Sequence, residues 1–360
     1  MLKKIFVRAY FQTVKAVRFT YDEIQNCSSN LNAKIEEAYG SHGLGLAIVS
    51  GIPNYSKMRL QLLPLAQKLA VQPQEYLKTL ERPESFYSKG WSCGVEQFKG
   101  KFDKSKGSFY NNPNYDKCQE LGKEYEHLMK KGSLIRIENV WPNRIPELEG
   151  AFKNLGRLMV DTGALLSYHI DKYIFSKCNT YEMGKLYRFV RTGDSHVGRL
   201  LHYYDGPNTD EWCGWHNDHS ALTALTCPIY MHNDKIVDYT DQEGGLLAKN
   251  RYAEIMKVGM DPDCLAFQIG ETAQIVSGGI VEATPHCVVK SDETVRRQLN
   301  RNTFAVFMGP LFNEVLNVPK GIDKDNALNK PAYNIPALLG RWDENMTFLE
   351  YSANSLKAYS

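Results

Sequence analysis

The 360 residues are 43% hydrophobic and 23% charged, the balance of a globular protein able to bury a substantial core. The 43 Lys and Arg are interspersed with 41 Asp and Glu to a net charge of +2, which argues against a nucleic-acid or acidic-lipid surface. Eight cysteines stand in no C-x-x-C pair and no disulfide-framework spacing, as suits reduced thiols in the cytoplasm, and the longest strongly apolar stretch, 43–52, is too short to span a bilayer.

Residues 1–20 carry Lys3, Lys4, Arg8, Lys15 and Arg18 with no acid before Asp22, so they read as an organelle-targeting leader or, from Val14 to Phe19, as a first β-strand. Asp22 to Tyr39 is helical in pattern and closes at Gly40. Leu44 to Ile52 is strand-like. Met58, Leu62, Leu65 and Leu69 then share one helical face behind a Ser56 N-cap, with Pro64 as a kink or a start.

From 80 to 120, glycines alternate with Trp91, Phe98, Phe102, Phe109 and Tyr110 without a period, which predicts loops that line a ligand cleft or are clamped onto a core. A long amphipathic helix is predicted from Pro146 to Phe175, with Phe152, Leu155, Met159, Leu166, Ile170 and Tyr173 on one stripe. Beyond 195 the texture is β: strand-like runs at 198–204, 222–226, 229–231, 246–248, 264–269, 273–276, 281–289 and 303–308 are separated by Gly, Asn, Asp and Ser turns. Strands of this number and length predict an α+β protein with a jelly-roll core and flanking helices. The divisions expected are a leader or strand (1–20), an N-terminal region (21–135), a long helix and connection (136–195), the jelly roll (196–311) and a C-terminal extension (312–360), whose last helix runs from Asn345 to Tyr359.

Three His-x-Asp tripeptides occur, and the backbone carrying each decides its meaning. His169-Ile170-Asp171 lies on the long helix, where residues two apart diverge around the axis. His232-Asn233-Asp234 has the composition of a hairpin tip. His216-Asn217-Asp218 stands between strand-like runs, and on extended backbone His216 and Asp218 share a face. His286, in Thr284-Pro285-His286-Cys287, is the best third partner. Two imidazoles and one carboxylate hold Fe(II) on one face and leave three positions open. Arg301 and Thr303 open the strand ending at Met308 and face one side of it. A guanidinium fork with a hydroxyl at the bottom of an apolar barrel suits a remote carboxylate.

These residues resemble the Fe(II)/2-oxoglutarate-dependent dioxygenase superfamily, in the branch with the isopenicillin N synthase fold. The likeness covers most of the chain, from Ala38-Tyr39-Gly40 and Gly51-Ile52 to the stretches Cys213–His219 and Arg301–Met308. It implies an Fe(II) oxygenase with His216, Asp218 and His286 as ligands, and 2-oxoglutarate held by Arg301 and by Thr303 in place of the family's Ser. Tyr204 is implied as a further contact, from His202-Tyr203-Tyr204-Asp205 where the family has Asn-Tyr-Tyr-Pro. The spacing from His286 to Arg301 is longer than usual and carries a 291–300 turn, within which Arg296 and Arg297 compete less well for lack of a hydroxyl two residues on. Dioxygen and a small-molecule substrate are the expected partners, with no nucleic acid, membrane or protein partner. The rival readings are an iron oxidase of this fold that uses no 2-oxoglutarate, a non-catalytic iron- or oxoacid-binding module, and a zinc hydrolase.

Overall fold

The computed structural model describes residues 11–85, 88–95, 97–98, 101–117, 138–206, 211–328 and 335–359. In chain order its strands are β1 (Gln12–Lys15), β2 (Val17–Thr20), β3 (Leu46–Ser50), β4 (Gly90–Cys93), β5 (Gln97–Phe98), β6 (Lys101–Phe102), β7 (Lys106–Asn111), β8 (Val197–Tyr203) and β9 (Glu211–His216). They continue with β10 (Leu222–Thr226), β11 (Ile229–His232), β12 (Lys235–Val237), β13 (Gly245–Lys249), β14 (Ile255–Gly259), β15 (Leu265–Ile269), β16 (His286–Val289) and β17 (Asn300–Met308). Two sheets face each other. The smaller runs β1-β14-β13-β16-β9, and the larger runs β2-β3-β15-β10-β17-β8-β7-β4 with the β11–β12 hairpin joined to β17. β9 is thus an edge strand among the described residues, paired only to β16.

Alternation along each strand sorts side chains between two cores. Leu46, Ile48, Leu201, Tyr203, Trp212, Leu246, Ala248, Val258, Ala266 and Val288 fill the space between the sheets. On the outer face of the larger sheet, Ala47, Val49, Leu200, Phe267, Phe304 and Val306 meet the helices. The long helix Glu147–Lys177 lies there, with Leu148, Phe152, Leu155, Met159, Leu166, Ile170 and Ile174 inward. Each such buried side chain contributes roughly 1.5–3 kcal/mol of apolar transfer. Phe152 sets the distance of approach: its ring lies edge-on to Phe304 at 4.8 Å, and a Cβ on Gly198 would meet it at 2.6 Å. Only glycine on β8 admits the ring.

The 12–20 segment forms β1 and β2, which pair in parallel with β14 and β3, so it contributes to both sheets, while residues 1–10 fall outside the described ones. The 22–39 pattern is two helices, Tyr21–Gln25 and Asn32–Tyr39, the first opened by a Thr20/Glu23 capping box. Helix Tyr55–Ala70 contains Pro64 and starts behind Asn54 rather than Ser56. Two expectations are corrected. Residues 273–276, read as strand from their β-branched apolar pattern, form the helix Glu271–Val276, buried on every side, where no amphipathic period exists to betray it. Part of 80–120, read as loop, pairs as β4 and β7 along β8. The 291–300 turn is a short helix, Asp292–Arg296, capped by Ser291.

His196 and His202 lie in this packed interior, and desolvation pushes both imidazoles down to about 4. Their folded values are depressed below the ordinary 6.5, so the stability they contribute is intact above about pH 6.5 and drains away as pH falls toward about 4, by up to roughly 3 kcal/mol each. Thermal melts across that window are expected to show a steep loss of Tm below about pH 6.5; a flat profile down to about pH 4 contradicts it. Among the described residues, no helix is long and apolar enough to cross a membrane.

Candidate active site

β9 ends at His216, and Asp218 follows two residues on, in the connection that leads to β10. β16 lies beside β9 with His286 directly opposite His216. The two rings are 4.2 Å apart by centroid, and the Asp218 Oδ1 atom is 3.7 Å from the Nε2 of each. All three ligand atoms lie within 4.8 Å of one another.

Each imidazole is oriented in the same way. His216 Nδ1 lies 2.8 Å from the Gly214 carbonyl, and His286 Nδ1 lies 2.9 Å from the Thr284 carbonyl and 2.5 Å from the Gln268 side-chain amide. A carbonyl only accepts, so a proton on Nδ1 satisfies both carbonyls and leaves each Nε2 lone pair pointing at the shared centre. Desolvation, reinforced by His216, pushes His286 down to about 4 and keeps it a neutral donor. Burial opposes charge on His216 as well, but Cys213, with its sulfur 3.9 Å away, and Asp218 outweigh it and raise the ring to about 9. A divalent cation would replace that proton, as at any imidazole site that releases protons on metal binding. Asp218 Oδ2 is buried without a hydrogen-bond partner among the described residues.

The close approach behind His286 is fixed by Gly45, whose φ is +72° and whose Cβ would fall 1.9 Å from Thr284 Oγ1. No other residue type fits there, and Thr284 in turn donates to the Leu44 carbonyl at 2.6 Å.

Arg301 on β17 is flanked by Tyr203 of β8 on one side and Tyr230 of β11 on the other, in register. Its guanidinium lies 5.1 Å from the Tyr203 ring and 6.0 Å from Trp212, and the residue is 2% exposed. Nε and Nη1 have no hydrogen-bond partner among the described residues. Tyr230 hydrogen-bonds the same guanidinium, but a buried cation with donors left over is costly, so Arg301 is arranged to receive an anion. Thr303 lies two residues on, but its hydroxyl proton is given to the Thr226 carbonyl at 3.0 Å, which leaves the guanidinium as the donor.

Tyr204 is not brought to this place. Period-two alternation turns it to the outer face of the sheet, edge-on to His202 at 4.6 Å and beside the Cys93 thiol, and gives the position next to Arg301 to Tyr203. The alternation was legible in the sequence; the Tyr230 contact was not, because it depends on which hairpin joins β17. A wall comes from β7, a strand within the 80–120 stretch read as cleft-lining or core-clamped loops, though its charged residues were not singled out. Lys106 pairs with Asp103, and Arg199 of β8 reaches the Ser108 hydroxyl at 3.0 Å and lies over the Tyr110 ring.

The other His-x-Asp pairs are structural. His169 bonds the Ile24 carbonyl, and Asp171 accepts from the Leu186 and Tyr187 amides and the Tyr181 hydroxyl, fixing the start of helix Lys185–Thr192. His232 sits at a hairpin tip in which Asn233 and Asp234 both have positive φ.

No protein-family model matches the chain, and no curated protein matches it in sequence. Solved structures do match. A Caulobacter crescentus protein described as a member of the 2OG-Fe(II) oxygenase family is 20% identical, with 95% of this chain and 98% of that one covered at a TM-score of 0.65. A full-length Neurospora crassa protein in complex with alpha-KG is 16% identical, with 94% and 95% covered and a TM-score of 0.65. JOX2, in complex with 2OG, Fe and JA, is 16% identical, with 96% and 86% covered and a TM-score of 0.62.

Proposed function

We propose that this chain, built on the fold of the 2OG-Fe(II) oxygenases, is a non-haem Fe(II)- and 2-oxoglutarate-dependent oxygenase that oxidises a small molecule with release of succinate and carbon dioxide. The observation that carries the reading is the pairing of two features within one barrel: a His216, Asp218, His286 cluster with converging lone pairs, and a buried Arg301 guanidinium with two donors that no described residue accepts from. The donor set fits iron because two imidazoles and one carboxylate leave three positions of an octahedron open. When bound, Fe(II) and 2-oxoglutarate would together supply the activation of dioxygen for attack on a C–H bond.

The chain's own residues have separable tasks. The Gly214 and Thr284 carbonyls hold the two imidazoles in the ligating tautomer. Arg301 would bind the far carboxylate of the cosubstrate, while Tyr203, Tyr230 and Trp212 keep water from it and strengthen the ionic contact. The His216 side chain is 26% exposed against 3% for Asp218, so the cluster opens on the side of β9, where a substrate would approach. Neighbours of this fold have been captured with 2OG and with JA, and the occupant here is taken to be of small-molecule size.

The test is to incubate the anaerobically iron-loaded protein with 2-oxoglutarate and air and to measure succinate. Iron-dependent succinate is the expected result. Its absence, with dioxygen consumed when a substrate is added, would favour the oxidase without 2-oxoglutarate. The tyrosine assignment has its own check: Tyr203→Phe is expected to weaken 2-oxoglutarate binding several-fold, whereas Tyr204→Phe leaves it within about twofold, since the loss of one polar contact at a site costs about 1 kcal/mol. The reverse order in a titration would return the role to Tyr204.

A further inference from the structure

Asp218, unlike His216 and His286, is not held by strand pairing. The turn that carries it is gripped by the first residues of the helix Glu271–Val276: the Glu271 amide donates to the Asp218 carbonyl at 2.8 Å, the Thr272 amide to Ser220 at 3.2 Å, and the Thr272 hydroxyl to His219 at 2.6 Å. The Glu271 side chain, 2% exposed, is itself fixed from elsewhere in the chain. Arg341 meets it with two parallel bonds, Nη1 to Oε2 at 2.8 Å and Nη2 to Oε1 at 2.7 Å, while the Tyr351 hydroxyl donates to Oε2 at 2.5 Å and Asn217 to Oε1 at 3.3 Å. His219, next to Asp218, stacks on Phe348 of the same C-terminal segment at 6.1 Å.

Every acceptor site of that carboxylate is used, so Glu271 cannot move without breaking several bonds at once. A buried ion pair adds little to stability over a well-packed apolar pair, because desolvation offsets the attraction. What a two-pronged pair does supply is a defined position, and here that position is one amide away from the metal-binding turn.

We propose that Glu271, Arg341 and Tyr351 are positioning residues that hold the Asp218 carboxylate in place for a divalent cation. The proposal rests on the reading of His216, Asp218 and His286 as the metal centre. The C-terminal segment is then part of the metal site, although none of its residues touches the ion.

Titration of the full chain with Co(II), read by the ligand-field spectrum of the bound ion, tests this. Glu271→Gln combined with Arg341→Met removes both charges together and so leaves no unpaired buried ion. It is expected to bind Co(II) about 10–100-fold more weakly than wild type, the usual cost of losing a group that orients a ligand, with an altered spectrum and unchanged far-UV circular dichroism. Tyr351→Phe, which keeps the ring, is expected to weaken binding a few-fold and serves as the test if the double variant fails to fold. A merely structural network would leave affinity and spectrum as in wild type in whichever of these variants folds, and that result overturns the proposal. A wild-type chain that takes up no Co(II) would instead overturn the metal reading itself, and this inference with it.

Discussion

His216→Ala and Asp218→Ala are expected to leave the far-UV circular dichroism unchanged and to bring iron-dependent succinate formation below detection. With His216 gone, one imidazole and one carboxylate remain, too few to retain Fe(II) at ordinary concentrations. With Asp218 gone, two neutral rings remain and no negative charge balances the cation. Loss of a group that merely orients a ligand costs 10–100-fold in affinity, so loss of a ligand itself should cost more than about 100-fold. The fold has little reason to suffer, because Asp218 Oδ2 makes no hydrogen bond and the Asp218 carbonyl, which Glu271 holds, remains in the alanine variant. Succinate formation by a folded Asp218→Ala protein at the wild-type rate would sink the ligand assignment.

Arg301→Leu should move two measurements in opposite directions. The cosubstrate's far carboxylate loses its charge-assisted partner, worth about 1.5–3 kcal/mol, so the dissociation constant for 2-oxoglutarate rises roughly 10–150-fold. In the absence of 2-oxoglutarate, the same change replaces a buried guanidinium with two unpartnered donors by an apolar side chain among Tyr203, Tyr230 and Trp212, so Tm should hold or rise. Isothermal titration and thermal melts read the two effects separately. Unaltered 2-oxoglutarate affinity would mean that the fork serves another anion, as in an oxidase that grips its substrate's carboxylate.

The convergence of His216, Asp218 and His286 was more legible in the sequence than the packing around it. His216 and His286 lie in short extended runs, and the choice among three His-x-Asp pairs followed from whether each backbone was helix, turn or strand. The surroundings of Arg301 were only half legible: Arg301 stood out by charge at a strand start, but its neighbours depend on β-sheet register, which joins Tyr203, Arg301 and Tyr230 across three strands. Glu271 was invisible because its helix is buried all round and reads as a strand. Arg341 and Tyr351 were invisible because their partner is 70 or 80 residues away. Local pattern reports what a segment does with its own neighbours, and these contacts are made by tertiary packing.

The edge position of β9 has a thermodynamic corollary. Among the described residues its strand pairing runs to β16 alone, and the cluster bridges these same two strands, His216 at the end of one and His286 at the start of the other. An ion seated there acts as a non-covalent staple across a long chain loop, biasing the open ensemble in the way a crosslink does. Chelation would thus loosen the rim of the smaller sheet at the moment it silences the chemistry, and oxygenase turnover and local rigidity would rise and fall together.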